Sequence, residues 1–297
     1  MSSKRKADDH PAVARLTALA ETAEQQAAQE PRGPAKVIQL PLWPEAKRGA
    51  PNAVLRGALF AAVQGKNRHY MEREIIAAQD GVTIRYTGGQ LGQADLDVWE
   101  QALHLARTQA LGTKCYFTAR GFLRALGRQA SGQNLEWLKS SLARLAGAVV
   151  EISDGRRTYF GTLIERGARD KETGRYVVEI NPDLAAFYGR SQWTQIDWEQ
   201  RQLLRSKPLA LWLHGFYASH AAPYPLTVEY LHKLSGSQTK QLKHFKQNLI
   251  RALTDLQAVG AIEAFEIVGD LVHVRTVPSK SQQKHLAARR PPARRRK

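Results

Sequence analysis

Residues 225–276 are PLTVEYLHKLSGSQTKQLKHFKQNLIRALTDLQAVGAIEAFEIVGDLVHVRT, and this segment has the clearest pattern of helices and strands in the sequence. Apolar residues at helical spacing predict a short helix over Leu226–Leu234 and a longer helix over Thr239–Val259. Gly236 and Ser237 lie between them and predict a sharp break. The stretch therefore begins with two helices joined by a tight turn.

A β-hairpin is predicted directly after these helices. The β-rich runs Ala261–Ile267 and Leu271–Thr276 are expected to meet at a turn over Gly269 and Asp270. This dipeptide is typical of a hairpin turn, because glycine tolerates the positive φ that the turn needs. Two helices followed by a hairpin outline a winged helix, and a second copy in the same chain favours a DNA-binding protein.

The longer helix has an apolar face and a basic face. Its apolar positions recur every three or four residues and are expected to face a core: Leu242, Phe245, Leu249, Leu253 and Leu256. The opposite face carries the predicted DNA contacts: Lys240, Lys243, His244, Gln247 and Arg251. The second helix of a helix-turn-helix lies in the major groove, where these side chains suit phosphate and base contacts. The alternative is an ordinary solvated face, but Asp255 is the only acid between Thr239 and Gln257.

The earlier copy of the pattern is predicted as a helix over Thr118–Leu126, a loop over Gly127–Gly132 and a helix over Asn134–Ala146. Its buried stripe is formed by Leu135, Leu138, Leu142 and Leu145. Its outer face presents the predicted DNA contacts Gln133, Ser140 and Arg144, together with Trp137. We expect Trp137 to fill the core rather than stack at an interface, because its large apolar area is costly to expose.

A hairpin is also predicted after this earlier pair of helices. The strand Val149–Ser153 is expected to turn at Asp154 and Gly155 into a strand over Arg156–Phe160, with a two-residue type I′ turn. Arg156 and Arg157 are the predicted contacts of this wing with DNA.

Composition and charge set limits on the function. The 297 residues suffice for two domains, and 43% hydrophobic residues allow each domain a core. A net charge of +17 favours a polyanionic partner, either nucleic acid or an acidic membrane surface. Neither an apolar run of membrane-spanning length nor a signal-peptide pattern occurs, so we expect a soluble cytoplasmic protein. Cys115 is the only cysteine, which excludes an internal disulfide.

The sequence predicts an α+β protein with two tandem winged-helix domains and disordered tails at both ends. Residues 278–297 are strongly basic, and we expect them to add salt-sensitive phosphate affinity or simply solubility. The predicted segments are a flexible arm (1–36), a linker (37–52), a first winged-helix domain (53–190), a second winged-helix domain (191–277) and a basic tail (278–297).

An apolar peptide lies in the predicted linker. Its residues Gln39, Leu40, Leu42 and Trp43 are similar to the glutamine-leucine-x-leucine-aromatic peptide that binds the bacterial sliding clamp. That resemblance implies a polar contact from the glutamine and an apolar anchor from the leucine and the aromatic ring. The alternative is that the segment packs back onto its own domain.

Four further stretches resemble the TrfA family of plasmid replication initiators. The resemblance covers approximately Val37 to Thr276, and its most specific part is the Ser-His-x-x-Pro-Tyr-Pro-Leu run that enters the second pair of helices. The matching stretches are Arg56–Phe60, Ile84–Gly88, Asp97–Trp99 with Leu103 and Ala106, and Ser219–Leu226.

This resemblance implies a function and a set of partners. Members of the family bind directly repeated origin sequences, called iterons, help to melt an adjacent A·T-rich segment, and recruit the host initiator DnaA and the replicative helicase. The sliding clamp is a further implied partner, and a monomer–dimer equilibrium is implied as well.

Enzymatic readings of the sequence have little support. No Gly-x-x-x-x-Gly-Lys-Ser/Thr loop occurs, and no two histidines are spaced to hold a metal on one helical face. Asp95 and Asp97 could hold Mg²⁺ but are better explained as the acidic start of a helix. Tyr159, Tyr176 and Tyr188 are better explained as core residues than as strand-cutting nucleophiles. We therefore expect no catalytic residue, metal or cofactor; a winged-helix repressor and a nicking or priming enzyme are the alternatives.

Overall fold

A computed structural model describes residues 40–65, 68–108, 114–153, 155, 158–170, 172–189, 192–279, 282–283 and 286–287. The predicted arm, most of the basic tail, Gln39, Arg156 and Arg157 lie outside the described residues. Helices and strands are intermixed along the described chain, which is a mixed α and β fold. Among the described residues, no helix combines the length and the apolar character needed to cross a membrane.

The helices are α1 (Asn52–Leu55), α2 (Gln93–Ala106), α3 (Ala119–Ala125), α4 (Gly132–Gly147), α5 (Trp198–Leu203), α6 (Pro208–Ala218), α7 (Val228–Leu234) and α8 (Leu242–Ala258), with a 3-10 helix over Pro182–Tyr188. The strands are β1 (Lys47–Pro51), β2 (Phe60–Ala61), β3 (Tyr70–Ile76), β4 (Thr83–Gly89), β5 (Leu91–Gly92), β6 (Lys114–Thr118), β7 (Val149–Ser153), β8 (Thr158–Thr162), β9 (Arg166–Arg169), β10 (Arg175–Glu179), β11 (Trp193–Asp197), β12 (Leu226–Thr227), β13 (Ile262–Val268) and β14 (Leu271–Thr276).

Most of the sheets surround a first hydrophobic core. An antiparallel sheet has the strand order β3-β4-β7-β8, a second has the order β6-β10-β9, and β1 pairs with β11. The short strands β2 and β5 pair in parallel. Buried residues of the first core extend from Leu40 to Trp198 and include Trp99 on the central helix α2.

A second hydrophobic core is formed by α6, α7, α8 and the sheet with strand order β12-β14-β13. Its buried residues extend from Leu204 to Val272. Trp212 donates its indole N–H to the Gly57 carbonyl at 3.0 Å, so α6 joins the second core to the first. Contacts unite the described residues into one compact unit.

The predicted helices and hairpin of residues 225–276 are confirmed, with small shifts. Helix α7 begins at Val228, because the Thr227 hydroxyl accepts the Tyr230 N–H and caps it. Helix α8 begins at Leu242, so Lys240 precedes it. The expectation that Leu242 faces the core is wrong: it lies in the first turn and is 41% exposed. The turn between β13 and β14 falls at the predicted Gly269-Asp270.

The earlier pair of helices is also confirmed as α3 and α4, with Thr118 and Ser131 as their caps. Trp137 packs partly buried against the first core. The predicted two-residue turn after Ser153 is wrong, because Ser153 pairs with Thr158, four residues beyond the expected start of the turn.

The structure differs from the predicted linker over residues 37–52. Residues 47–51 form β1, which pairs with β11 in the register Lys47↔Asp197. Strand β11 and Trp198 belong to the first core, so the two cores divide after Trp198 rather than after residue 190. The predicted boundaries missed this because the pairing joins segments far apart in the sequence.

Candidate nucleic-acid interface

The basic face of α8 is exposed to solvent. Phe245, Leu249 and Leu253 are fully buried and fix which side of the helix faces the second core. All five predicted contacts are exposed on or just before α8: Lys240, Lys243, His244, Gln247 and Arg251. Among the described residues, none of them forms an ion pair with an acid. The cations and the amide are therefore free to meet a polyanion.

Lys246 links α8 to the turn of the β13–β14 hairpin. Its ammonium donates to the Gly269 carbonyl at 2.7 Å and contacts Asp270 Oδ1 at 3.2 Å. The hairpin tip is thereby held next to the exposed face of α8. No pattern in the sequence predicts this contact, because the position of Lys246 is that of an ordinary solvated lysine.

The turn before α8 is held by residues from the first half of the chain. Ala62 donates its backbone N–H to the Ser235 carbonyl at 2.7 Å, and Gln238 Nε2 donates to Gln90 Oε1 at 2.7 Å. Gly236 has φ +59, and a Cβ built on it would lie 2.8 Å from the Ala61 Cβ. The position of α8 therefore depends on residues from both halves of the chain.

Replacing Gly236 by alanine should destabilise the protein for two reasons. A positive φ costs an L-residue about 1 kcal/mol or more, and the new methyl group would collide with Ala61. Gly260→Ala is a matched control, because Gly260 has φ +70 but open space around it. Urea unfolding should show a larger loss for Gly236→Ala than for Gly260→Ala; equal losses would contradict the close packing of the turn.

The outer face of α4 is less suited to DNA than that of α8. Gln133 and Ser140 are exposed as predicted. Arg144 also lies on α4, but its guanidinium binds the Asp95 carboxylate at 2.7 Å, so its contact with DNA stays a prediction. Lys139 is paired with Glu136 at 2.5 Å. Both cations of α4 therefore have acidic partners.

Asp95 is a buried carboxylate with four hydrogen-bond donors, which explains the position of Arg144. Arg68, Arg144 and Ser141 each donate to it at 2.7 Å, and the Gly92 backbone N–H donates at 3.0 Å. The side chain is fully buried at the start of α2. The interpretation as the acidic start of a helix is confirmed for Asp95, which lies in the first turn of α2, whereas Asp97 lies in the following turn.

A second charged cluster connects α2 with α5 and α6. Arg201 is buried and binds Asp97 at 2.5 Å, and it also donates to the Leu211 carbonyl at 3.2 Å. Glu100 lies 3.4 Å from Arg201, but neither of its oxygens has a hydrogen-bond partner among the described residues. Burial raises the pKa of Glu100 to about 7, and the Arg201 charge opposes this shift. Burial also lowers the pKa of the nearby His214 to about 3.

Glu100 should make stability depend on pH. Its folded pKa of about 7 exceeds the unfolded value of 4.5, so between these values the folded protein holds a proton that the unfolded chain has released. Stability contributed by this group therefore falls as pH rises through that window. Glu100→Gln should remove this decrease in stability. Any pH dependence that His214 contributes is present in both the parent and the variant, so it does not affect the comparison. Urea unfolding from pH 5 to pH 7 tests this; parallel stability curves would contradict it.

The clamp-like peptide is mostly buried. Leu40 and Trp43 are 2% and 4% exposed, whereas Leu42 is 68% exposed. The Trp43 ring stacks on Tyr188 with centroids 6.2 Å apart, and its indole N–H donates to His104 Nδ1 at 3.1 Å. The prediction of a flexible docking segment is therefore corrected for these residues, which pack onto the first core.

The three tyrosines considered as nucleophiles are core residues. Tyr159 donates its hydroxyl to the Thr162 carbonyl at 2.6 Å, and Tyr188 donates to the Gly49 carbonyl at 3.1 Å. Tyr176 stacks on Phe117 with centroids 5.7 Å apart. Across the part of the chain that the structure describes, no group of three or more His, Cys, Asp or Glu is placed to hold a metal ion.

The fold defines the class of this chain as a mixed α and β protein, and its helix α8 has an exposed basic face. A family model described as TrfA protein matches residues 5–276, and the chain belongs to this family.

Individual relatives are more distant. The chain is 28% identical over 242 residues to the plasmid replication initiator protein TrfA of Escherichia coli; the match covers 78% of this chain and 63% of that protein. Two solved structures are similar at low identity. Domains 2 and 3 of RctB match with a TM-score of 0.48 and 14% identity, over 70% of this chain and 86% of that one. The Pi initiator protein, solved in complex with iteron DNA, matches with a TM-score of 0.49 and 11% identity, over 69% of this chain and all of that one.

Proposed function

We propose that this chain is a plasmid replication initiator that binds directly repeated origin sequences, promotes opening of the origin and recruits host replication proteins. The observation that carries the proposal is the exposed basic face of α8, whose cations form no ion pair with an acid in the part of the chain that the structure describes. Membership of the TrfA family supports it, and the E. coli relative is named as a plasmid replication initiator. The proposed action is non-enzymatic and needs neither metal nor cofactor.

We propose that α6, β12, α7, α8 and the β13–β14 hairpin form the winged helix that makes the principal site contacts. In support, β12 pairs with β14 in the register Leu226↔Val272, which closes the hairpin against the helices. Helix α8 is long enough to cross a major groove and presents Lys243, Gln247 and Arg251 on one side.

We propose a second winged helix around α2, β6, α3 and α4. Strand β6 pairs with β10 rather than with β8, so β9 and β10 take the place that β13 and β14 have in the other copy. This favours β9–β10 as the wing. Strands β7 and β8 extend the sheet of β3 and β4. Two winged helices in tandem would bind positions roughly 10 bp apart on one face of the duplex.

DnaA, the replicative helicase and the sliding clamp are the proposed host partners, in the bacterial cytoplasm, and a monomer–dimer equilibrium is part of the proposal. Binding of the clamp through Leu40 and Trp43 would require the peptide to leave the first core. Leu42 alone is accessible in the folded arrangement. The clamp contact is therefore expected to compete with folding of residues 40–43.

Permanganate footprinting on a supercoiled plasmid with the parental origin tests the proposal against the repressor alternative. We expect protection at each repeat and reactive, unpaired thymines in the adjacent A·T-rich segment once host DnaA is present. An origin with scrambled repeats is the control. Protection without reactive thymines would favour a repressor, and nicked product in the presence of Mg²⁺ would favour an enzyme.

A further inference from the structure

Two arginines from distant parts of the chain meet at the turn that leads into α4. Gly127 in this turn has φ +65, and a Cβ built on it would lie 2.8 Å from Nη1 of Arg205. Arg205 is exposed and follows α5, whose Trp198 donates its indole N–H to the Ala125 carbonyl at 3.1 Å. The α5 segment therefore packs on the end of α3 and brings Arg205 beside the turn.

Arg128, the next residue after Gly127, supplies the second guanidinium. Its carbon Cζ lies 3.9 Å from the centre of the Trp137 ring, which holds the half-buried side chain in place on α4. Burial lowers the pKa of Arg128, and the positive charge of Arg205 lowers it further, while Asp97 raises it. The two side chains lie on the same turn, Arg205 against Gly127 and Arg128 against Trp137.

No acid among the described residues forms an ion pair with either guanidinium. Asp97 is the acid that acts on Arg128, but its carboxylate binds Arg201 at 2.5 Å. Two like charges held together without a counter-ion are unfavourable unless an anion binds between them. Arginine is well suited to this role, because its planar donors match the oxygens of a phosphate.

The position of the pair suits duplex DNA. In a helix-turn-helix the second helix enters the major groove with its first residues, so the turn before it lies at the edge of the groove where phosphates pass. The cations of α4 itself, Lys139 and Arg144, are paired with Glu136 and Asp95. Phosphate contacts next to α4 are therefore expected from residues other than Lys139 and Arg144.

We propose that Arg128 and Arg205 form a two-arginine site for a backbone phosphate of duplex DNA next to α4. The proposal rests on the proposed function, because it assumes that α4 docks on the duplex. Since Arg205 lies on the segment that joins the two cores, the site is complete only when α5 is packed against α3. Phosphate binding at α4 thus depends on the arrangement of both halves of the chain.

Binding to duplex DNA as a function of salt concentration tests the site, with a duplex of origin repeats and a duplex of scrambled sequence. Arg205→Gln and Arg128→Gln should each reduce the slope of log K against log salt by about 1, equally on both duplexes. Arg128→Lys should keep the parental slope because it keeps the charge. Arg73→Gln is the charge-matched control, since Arg73 is an exposed arginine on β3.

The outcomes separate the site from the proposed function. If the parent prefers the repeat duplex but both Gln variants behave like Arg73→Gln, the two-arginine site is wrong and the initiator function stands. If the parent shows no preference but the Gln variants still lose slope, the phosphate site stands and the sequence-specific function fails. If the parent protein binds neither duplex, both the two-arginine site and the proposed initiator function are wrong. Circular dichroism and thermal unfolding verify that Arg128→Gln remains folded.

Discussion

Asp95→Asn should lower the free energy of unfolding by about 3–5 kcal/mol, which is typical when one partner of a buried ion pair is removed. The substitution keeps the shape of the side chain but removes the charge that Arg68 and Arg144 share. Both guanidiniums are mostly buried, so water can only partly replace the lost carboxylate. The loss should appear in urea unfolding at neutral pH as a lower midpoint with an unchanged slope.

Asp255→Asn provides the comparison for this large effect. Asp255 pairs with Lys207 at 2.7 Å, but both side chains are substantially exposed, so the loss should be about 1 kcal/mol or less. In the double variant Asp95→Asn, Arg144→Met, one unpaired cation is removed and part of the stability should return. If Asp95→Asn lowers the free energy of unfolding by no more than Asp255→Asn does, the Asp95 cluster does not stabilise the first core.

Replacing Lys243, Gln247 and Arg251 together by alanine should weaken binding to a repeat duplex roughly 100-fold or more. Each good contact to a base edge contributes about 1–3 kcal/mol of discrimination, and a factor of ten corresponds to about 1.4 kcal/mol. All three side chains are exposed, and none of them forms an ion pair with an acid among the described residues, so the variant should unfold at the parental temperature. Fluorescence anisotropy with labelled repeat and scrambled duplexes measures the effect.

The decisive feature of this experiment is the difference between the two duplexes. Loss of two cations weakens binding to any DNA, but only loss of base contacts removes the preference for the repeats. The double variant Arg73→Ala, Arg85→Ala removes the same charge from the sheet of β3 and β4 and should keep the preference. A triple variant that still prefers the repeats would show that α8 does not recognise them.

Local patterns in the sequence predicted the elements that depend on neighbouring residues. The spacing of Phe245, Leu249 and Leu253 predicted the buried face of α8, because a helix brings residues three and four apart onto one side. The Gly269-Asp270 turn was predicted for the same reason, since its geometry depends on two adjacent residues. The exposed position of Lys243, Gln247 and Arg251 followed directly from the buried face.

Predictions that depended on distant residues were less successful. Arg144 lies on the outer side of α4 by spacing, but Asp95 on α2 withdraws its guanidinium from solvent. Trp43 lies in a stretch that looks like a linker, yet Tyr188 and Trp193 form a pocket of aromatic rings around it. Neither partner is near in sequence, and no periodic pattern points to it. The same is true of Arg205 beside Arg128.

Methylation protection at guanine N7 on a duplex of origin repeats is the measurement that tests binding by α8 in the major groove. N7 is exposed in that groove, so a helix lying there shields it. We expect the parent to protect guanines at the same position of every repeat, and we expect Lys243→Ala, Gln247→Ala, Arg251→Ala to abolish this protection. Identical protection by the parent and the triple variant, or protection unrelated to the repeats, would contradict the assignment of α8 as the recognition helix.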